Sequence, residues 1–189
     1  KGEGLVATAH VVTGGMGGLG LLTARWLTQQ QHGGARTVAL ASRSGALARE
    51  SSAAAEWEAV RASGAAALVH TCDASEPAHV RRLVARSPSL AGVWHAAGVL
   101  ADGVLPKQTA AALARVYAPK AHGAEALRLA SARSPLCSCV LFSSVSALLG
   151  GGGQANYSAA NACLDALARC RRAHGGASAS VQWGAWAEV

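Results

Sequence analysis

Short runs rich in valine, leucine and alanine alternate along the chain with segments whose apolar residues recur at helical spacing. Residues 10–13, 37–41, 65–70, 92–95, 136–142 and 178–183 read as six strands, and Cys139-Val140-Leu141-Phe142-Ser143 is apolar enough to be buried. Between them, Leu21, Leu22, Ala24, Trp26 and Leu27 predict a helix reaching about Gln31, and residues 50–63 predict a second. Ser75-Glu76-Pro77 opens a third with a capping residue and an early proline. A long helix is expected from about Thr109 to Arg133, with Pro119 as its point of interruption, and another from Gln154 towards Arg172. Strands alternating with helices in this way predict an α/β fold, a doubly wound parallel sheet between two helical layers. A ligand then belongs beyond the carboxyl ends of the strands.

Most of the residues that carry chemistry fall at those ends. The first strand runs into Thr13-Gly14-Gly15-Met16-Gly17-Gly18-Leu19-Gly20 and then a helix. Glycines there permit a tight turn and let backbone N–H groups approach a pyrophosphate at the helix N-terminus. The second strand ends in Ser42-Arg43-Ser44, where an acidic residue would otherwise receive a ribose 2′-hydroxyl. A guanidinium flanked by hydroxyls suits a 2′-phosphate, so NADPH is favoured over NADH, against the plainer reading of a surface arginine. Asp73 follows the third strand and is placed to accept from an adenine amino group. In His95-Ala96-Ala97-Gly98 the small residues let the backbone lie against a ribose, and His95 is either a ligand contact or a strand-end histidine. Ser144 closes the fifth strand, while Tyr157 and Asn161 are four apart on one helix face and follow the glycine loop at 150–153. A hydroxyl and a phenol converging there would donate to a carbonyl oxygen. Lys120, a lysine among fourteen arginines, is either part of that site or a solvated helix residue.

Composition narrows the picture. Hydrophobic residues make up 51% of the 189 and charged residues 14%, which marks a folded globular chain. The net charge of +7 comes mainly from scattered arginines that do not interleave with aromatics, so nucleic acid is not an expected partner, and with no apolar stretch long enough to span a bilayer neither is a membrane. Cys72, Cys137, Cys139, Cys163 and Cys170 form no C-x-x-C pair and read as buried free thiols of a reducing, cytoplasmic compartment. The dispersed histidines offer no metal-ligand spacing, so no metal is expected. Residues 1–4 read as a linker and residues 186–189 stop without a cap, so a fragment of a larger polypeptide is expected.

Together these residues resemble a family. The turn at residues 13–20 is similar to that of the short-chain dehydrogenases/reductases, whose fold is Rossmann-type. His95-Ala96-Ala97-Gly98-Val99-Leu100, Phe142-Ser143-Ser144, Gly153-Gln154-Ala155-Asn156-Tyr157 and Val181-Gln182-Trp183-Gly184 resemble the ketoreductase domains of modular polyketide synthases and animal-type fatty acid synthases. In that branch lysine and asparagine exchange places relative to ordinary short-chain reductases, and the lysine lies in a P-K-x-x-G context that Lys120 matches. The resemblance implies a tetrad of Lys120, Ser144, Tyr157 and Asn161, with Ser144 rather than Ser143 at the family's spacing. Tyr157 would donate the proton, Ser144 would bond the same oxygen, Lys120 would assist the phenol, and Asn161 would hold the lysine or a relay water. It further implies NADPH, a β-ketoacyl thioester on the phosphopantetheine of an acyl carrier protein, and neighbouring synthase domains. The whole chain, 1–189, would be the catalytic NADPH-binding subdomain, C-terminally truncated before the lid helix and last strand. Leu100-Ala101-Asp102, with Leu149 where the opposite branch carries tryptophan, leans towards a D-hydroxy product. The competing expectations are a free-standing reductase of a small ketone or quinone and a catalytically silent cofactor-binding domain.

Overall fold

The structure is a computed structural model and describes residues 8–30, 35–47 and 51–185. The strands are β1 (Ala9–Thr13), β2 (Thr37–Ser42), β3 (Ala66–Thr71), β4 (Leu90–His95), β5 (Ser138–Ser144) and β6 (Ala179–Trp183). They form one sheet in the order β3-β2-β1-β4-β5-β6, with every pairing parallel. The helices are α1 (Gly18–Thr28), α2 (Ser51–Ala62), α3 (Pro77–Ala85), α4 (Ala110–Tyr117), α5 (Gly123–Ala130), the short α6 (Ser146–Leu149) and α7 (Ala155–Ala173). The expected ends at Gln31 and residue 50, together with residues 1–4 and 186–189, lie outside the described residues.

Strand alternation sorts side chains to the two layers. Val12, Val38, Leu40 and Trp94 join α1 and α2, where Leu21 and Val60 are fully buried. Val11, Ala39, Ala41 and Val93 face the opposite way, onto α3 and α5. Cys139 and Leu141 of β5 meet Leu164 and Ala168 of α7 on that same side. A fully buried Leu or Val contributes about 1.5–3 kcal/mol, so these two cores hold the sheet in place. Because β1 is paired with both β2 and β4, the chain reverses direction across the sheet at that point, opening a crevice at the carboxyl ends of the two central strands.

Two local readings change. The third helix takes Glu76, not Ser75, as its N-cap, without a side-chain cap, because the Ser75 hydroxyl donates to Asp73 Oδ1 instead. Pro119 does not break the long helix but widens it into a π-helical turn, Ala118–His122, joining α4 to α5. Proline has no N–H for the i−4 carbonyl, and the wider turn accommodates that loss while carrying Lys120 inwards. The cysteines also divide: Cys72 and Cys139 are buried, whereas Cys137 and Cys170 are exposed, because they sit at the foot of β5 and on the outer face of α7.

Candidate active site

At the crevice, the glycine turn packs against the end of β4. Gly14 has φ +69°, and a Cβ there would lie 2.8 Å from the backbone of Ala96. Gly15 and Gly20 make still closer approaches, to the Val12 carbonyl oxygen with Leu40 and to Gly14 respectively. These two glycines, with the buried Met16, build the turn rather than face the crevice. Gly17, which the sequence reading did not single out, is the N-cap of α1 and lines the crevice. Neither a capping side chain nor an acidic first turn occupies this N-terminus, so the backbone donors opened by Gly18, Leu19 and Gly20 remain for an anion.

The cavity beyond β1 to β4 has a volume of about 420 Å³ and is lined by Thr13, Gly14, Ser42, Arg43 and Asp73, with Ala96, Ala97 and Gly98 on its far wall. Ser42 Oγ accepts from Gly45 N–H at 3.0 Å and Ser44 Oγ from Ala46 N–H at 3.2 Å, which shapes the loop around Arg43. Met16, Arg43 and Ser44 flank a second, open cavity on the outer side of that loop. Asp73 Oδ1 accepts from both the N–H and the hydroxyl of Ser75, at 2.9 and 2.6 Å. The Ser75 hydroxyl above all, then its N–H and the nearby Arg43 charge, hold this carboxyl below the usual range. Arg115 on α4 also borders the cavity and donates to the Leu100 carbonyl at 2.8 Å. Its position in an alanine-rich helix carries no sequence signal. The hydroxyls, the cation and the uncapped helix end suit a phosphorylated dinucleotide.

A smaller cavity of about 210 Å³ adjoins the first through Ala96, Gly98 and Val99 and is lined by Leu19, Lys120, Ser144, Tyr157 and Trp183. Lys120 is 4% exposed, its Nζ donating to the Phe142 carbonyl at 3.0 Å and lying 5.1 Å from the centre of the Tyr157 ring. A Cβ on Gly98 would meet Lys120 Cε at 2.9 Å, so only glycine lets the lysine pass. Burial pushes the Lys120 pKa down to about 8, countered in part by the Asp165 carboxylate, so the ammonium persists at neutral pH. The solvated-surface reading of Lys120 is thereby overturned. Ser144 Oγ accepts from Ser146 N–H at 3.1 Å, which leaves its proton to donate. Ser143, 2% exposed, instead donates to the Asn161 carbonyl at 3.3 Å. Asn161 makes no hydrogen bond to Lys120: its Nδ2 donates to the Tyr157 carbonyl at 3.0 Å, and its buried Oδ1 has no hydrogen-bond partner.

His95 is not placed to touch a ligand. It is fully buried, with Nδ1 2.7 Å from Thr13 Oγ1 and Nε2 2.9 Å from the Lys120 carbonyl. A carbonyl only accepts, so Nε2 donates and Nδ1 receives the Thr13 proton. The ring thus ties the π-helical turn to β1 and β4. Burial, chiefly, lowers its pKa to about 4. Because the unfolded ring titrates near 6.5, this contribution to stability is complete above pH 6.5 and is lost as pH falls towards 4, on the order of 3 kcal/mol. Urea melts across pH 4 to 7 are expected to show that loss, and His95→Gln is expected to flatten the profile over this window.

The loops at the mouth are laced together. Asn156 Nδ2 donates to the Ala101 carbonyl at 2.8 Å while its Oδ1 accepts from Tyr157 N–H at 2.7 Å. Gly103 N–H donates to the Gly153 carbonyl at 2.9 Å, and Gln154 Nε2 to Asp102 Oδ2 at 3.2 Å. Asn156 therefore sets the start of the helix that presents Tyr157, a role its place beside the tyrosine hinted at but did not reveal. Among the described residues no helix is long and apolar enough to cross a membrane, and no cluster of three metal-ligating side chains occurs.

The KR domain family model matches residues 8–188. The polyketide synthase GfsB of Streptomyces halstedii is 45% identical over 190 residues, 99% of this chain and 3% of that protein. The hybrid PKS-NRPS synthetase pyvA of Aspergillus violaceofuscus is 43% identical over 175 residues, 93% of this chain and 4% of its own length. An A-type ketoreductase from a modular polyketide synthase superposes with a TM-score of 0.88 at 38% identity, covering 97% of this chain and 38% of that one. The ketoreductase from the first module of phoslactomycin biosynthesis in Streptomyces sp. HK803 does so with 0.85 at 40% identity, covering 96% and 41%. The chain thus spans a small part of its curated relatives and less than half of these solved ketoreductases. With a family match over nearly its whole length and a six-stranded parallel sheet to go with it, the chain belongs to the KR domain family, the polyketide synthase ketoreductases of Rossmann-type short-chain dehydrogenase/reductase fold.

Proposed function

We propose that residues 1–189 are the catalytic, NADPH-binding subdomain of a ketoreductase that reduces a β-ketoacyl thioester, carried on an acyl carrier protein, to the β-hydroxyacyl thioester. The observation that carries this reading is the small cavity in which the Ser144 hydroxyl, Tyr157 and the buried Lys120 ammonium meet, opening directly onto the larger cavity bordered by Arg43. When bound, NADPH supplies hydride to the ketone carbon.

This chain's residues do the rest. Ser144 donates a hydrogen bond to the ketone oxygen, and Tyr157 delivers a proton to it as charge grows. The Lys120 ammonium stabilises the phenolate left behind, held in place by the Phe142 carbonyl and, through its own carbonyl, by His95. Asn161 fixes the helical turn below the tyrosine, with its Oδ1 available to a relay water. Arg43, flanked by Ser42 and Ser44, pairs with the 2′-phosphate. Leu100, lining the small cavity, and Asp102, held by Gln154, border the thioester's approach, where a D-hydroxy product is expected.

The test is cofactor oxidation by the intact gene product with a β-ketoacyl thioester, NADPH beside NADH, followed by chiral analysis of the alcohol. Turnover with NADPH far exceeding that with NADH supports the reading. Arg43→Ala is expected to raise the KM for NADPH about tenfold or more, the loss of one charge-assisted contact, while leaving NADH unchanged. NADPH binding without any turnover would favour the silent domain instead.

A further inference from the structure

Helix α7 presents Tyr157 and Asn161 to the site, and its sole acidic residue, Asp165, lies one turn further along. Both oxygens of that carboxylate are held by the last strand. Oδ1 accepts from Ser180 Oγ, and Oδ2 accepts from Gln182 Nε2 at 2.8 Å. In the parallel pairing of β5 with β6, Ser180 lies opposite Leu141 and Gln182 opposite Ser143. They therefore bracket Phe142, the residue whose carbonyl receives the Lys120 ammonium. Through these two side chains the carboxylate is tied to the stretch of β6 that pairs with Phe142, on the face of the sheet that α7 covers.

Lys120 forms no ion pair within 4 Å among the described residues, although it is almost wholly buried. A buried cation without a counter-charge gives up its proton. Tyr157 on α7 and His95 on β4 also face it, the latter kept neutral by burial, while Cys163 on α7 and Tyr117 beside the turn are paired with each other at 2.6 Å. β5 offers the Phe142 carbonyl, the uncharged serines 143 and 144, and the Cys139 thiol, which burial pushes up and so keeps protonated.

We propose that Asp165 is a positioning residue for ketone reduction: clamped by Ser180 and Gln182, it supplies the negative field that keeps the Lys120 ammonium charged beneath Tyr157. The proposal rests on the reading of Tyr157 as proton donor with Lys120 behind it. It extends the site to a carboxylate that touches neither substrate nor cofactor, and it gives the polar side chains of β6 a purpose.

The experiment has two arms. In the full chain, the lysines are Lys1, Lys107 and Lys120, so the Lys120 side-chain methylene next to nitrogen can be followed by carbon-13 NMR against pH. The wild-type midpoint is expected at about 8. Asp165→Asn is expected to lower it by roughly half a pH unit or more, and Asp165→Glu to restore it. In the intact gene product, the alkaline limb of kcat/KM with NADPH is expected to move down by the same interval in Asp165→Asn. A merely structural aspartate would lower the rate without moving either midpoint, and unmoved midpoints overturn the proposal. Should Asp165→Asn not fold, the exposed Gln182→Ala releases one oxygen of the clamp: a smaller downward move supports the proposal, and none overturns it. Retained turnover in Tyr157→Phe would overturn the reading of the site itself, and the NMR arm would still decide whether Asp165 governs Lys120.

Discussion

Tyr157→Phe is expected to lower kcat by about 10²–10⁴-fold while leaving NADPH affinity within a factor of about two, since under the proposed function it removes only the proton carried to the substrate oxygen. The phenol ring lies over the Lys120 ammonium and the backbone around it is fixed by Asn156 and Asn161, none of which needs the hydroxyl. Phenylalanine keeps the ring and its contact with the cation, so the fold and the lysine's position are preserved. The loss therefore falls on the chemical step, and it is read as a drop in kcat with KM nearly constant. Fluorescence titration with NADPH, run beside the turnover assay, separates the two quantities. Equal losses in both would show that the tyrosine serves binding and not proton transfer.

The second large effect concerns the turn that borders the larger cavity. In Gly20→Ala the new Cβ would stand 2.2 Å from the Gly14 carbonyl oxygen and 2.7 Å from Gly15 Cα. Both are backbone atoms of a turn pinned against Ala96, Val12 and Leu40, so no flexible side chain can yield. The turn must open or α1 must move away from β1. Either change costs roughly 3 kcal/mol or more, at the upper end of overpacking effects. A fall in the urea midpoint and weaker NADPH binding are expected together. Gly17→Ala is the comparison, because its Cβ would approach nothing nearer than 3.4 Å and its φ of −91° suits any residue. Its stability is expected to stay within about 1 kcal/mol of the wild type.

Much of this site lies in plain view in the chain. Tyr157 and Asn161 share a helix face because four residues make about one turn, and Ser144 ends its strand because the apolar run stops there. The glycine turn is recognisable from its place between a strand and a helix. Lys120 needed the family resemblance to be set beside Tyr157, for nothing in a helix interrupted by proline says which way its side chain points. His95 resisted any sequence reading, as its partners lie 82 residues before it and 25 after it. The cysteines misled for a related reason: Cys137 and Cys170 occupy strand and helix ends, where an apolar neighbourhood in sequence does not translate into burial.

What the sequence by itself determined is the order of elements, the parallel sheet between two helical layers, and the local geometry of each motif. These follow from periods of two and 3.6 and from glycine's freedom, which are properties of the backbone within a few residues. Only the tertiary structure decided that Lys120 is buried against the Phe142 carbonyl, that His95 braces it from behind, and that Asp165 is tied to β6. Those relations depend on strand register and on how far a π-helical turn carries a side chain inwards. Burial, and with it the pKa of the lysine, is a property of the assembled layers, because it is the exclusion of water by residues distant in the chain that sets the strength of every charge within.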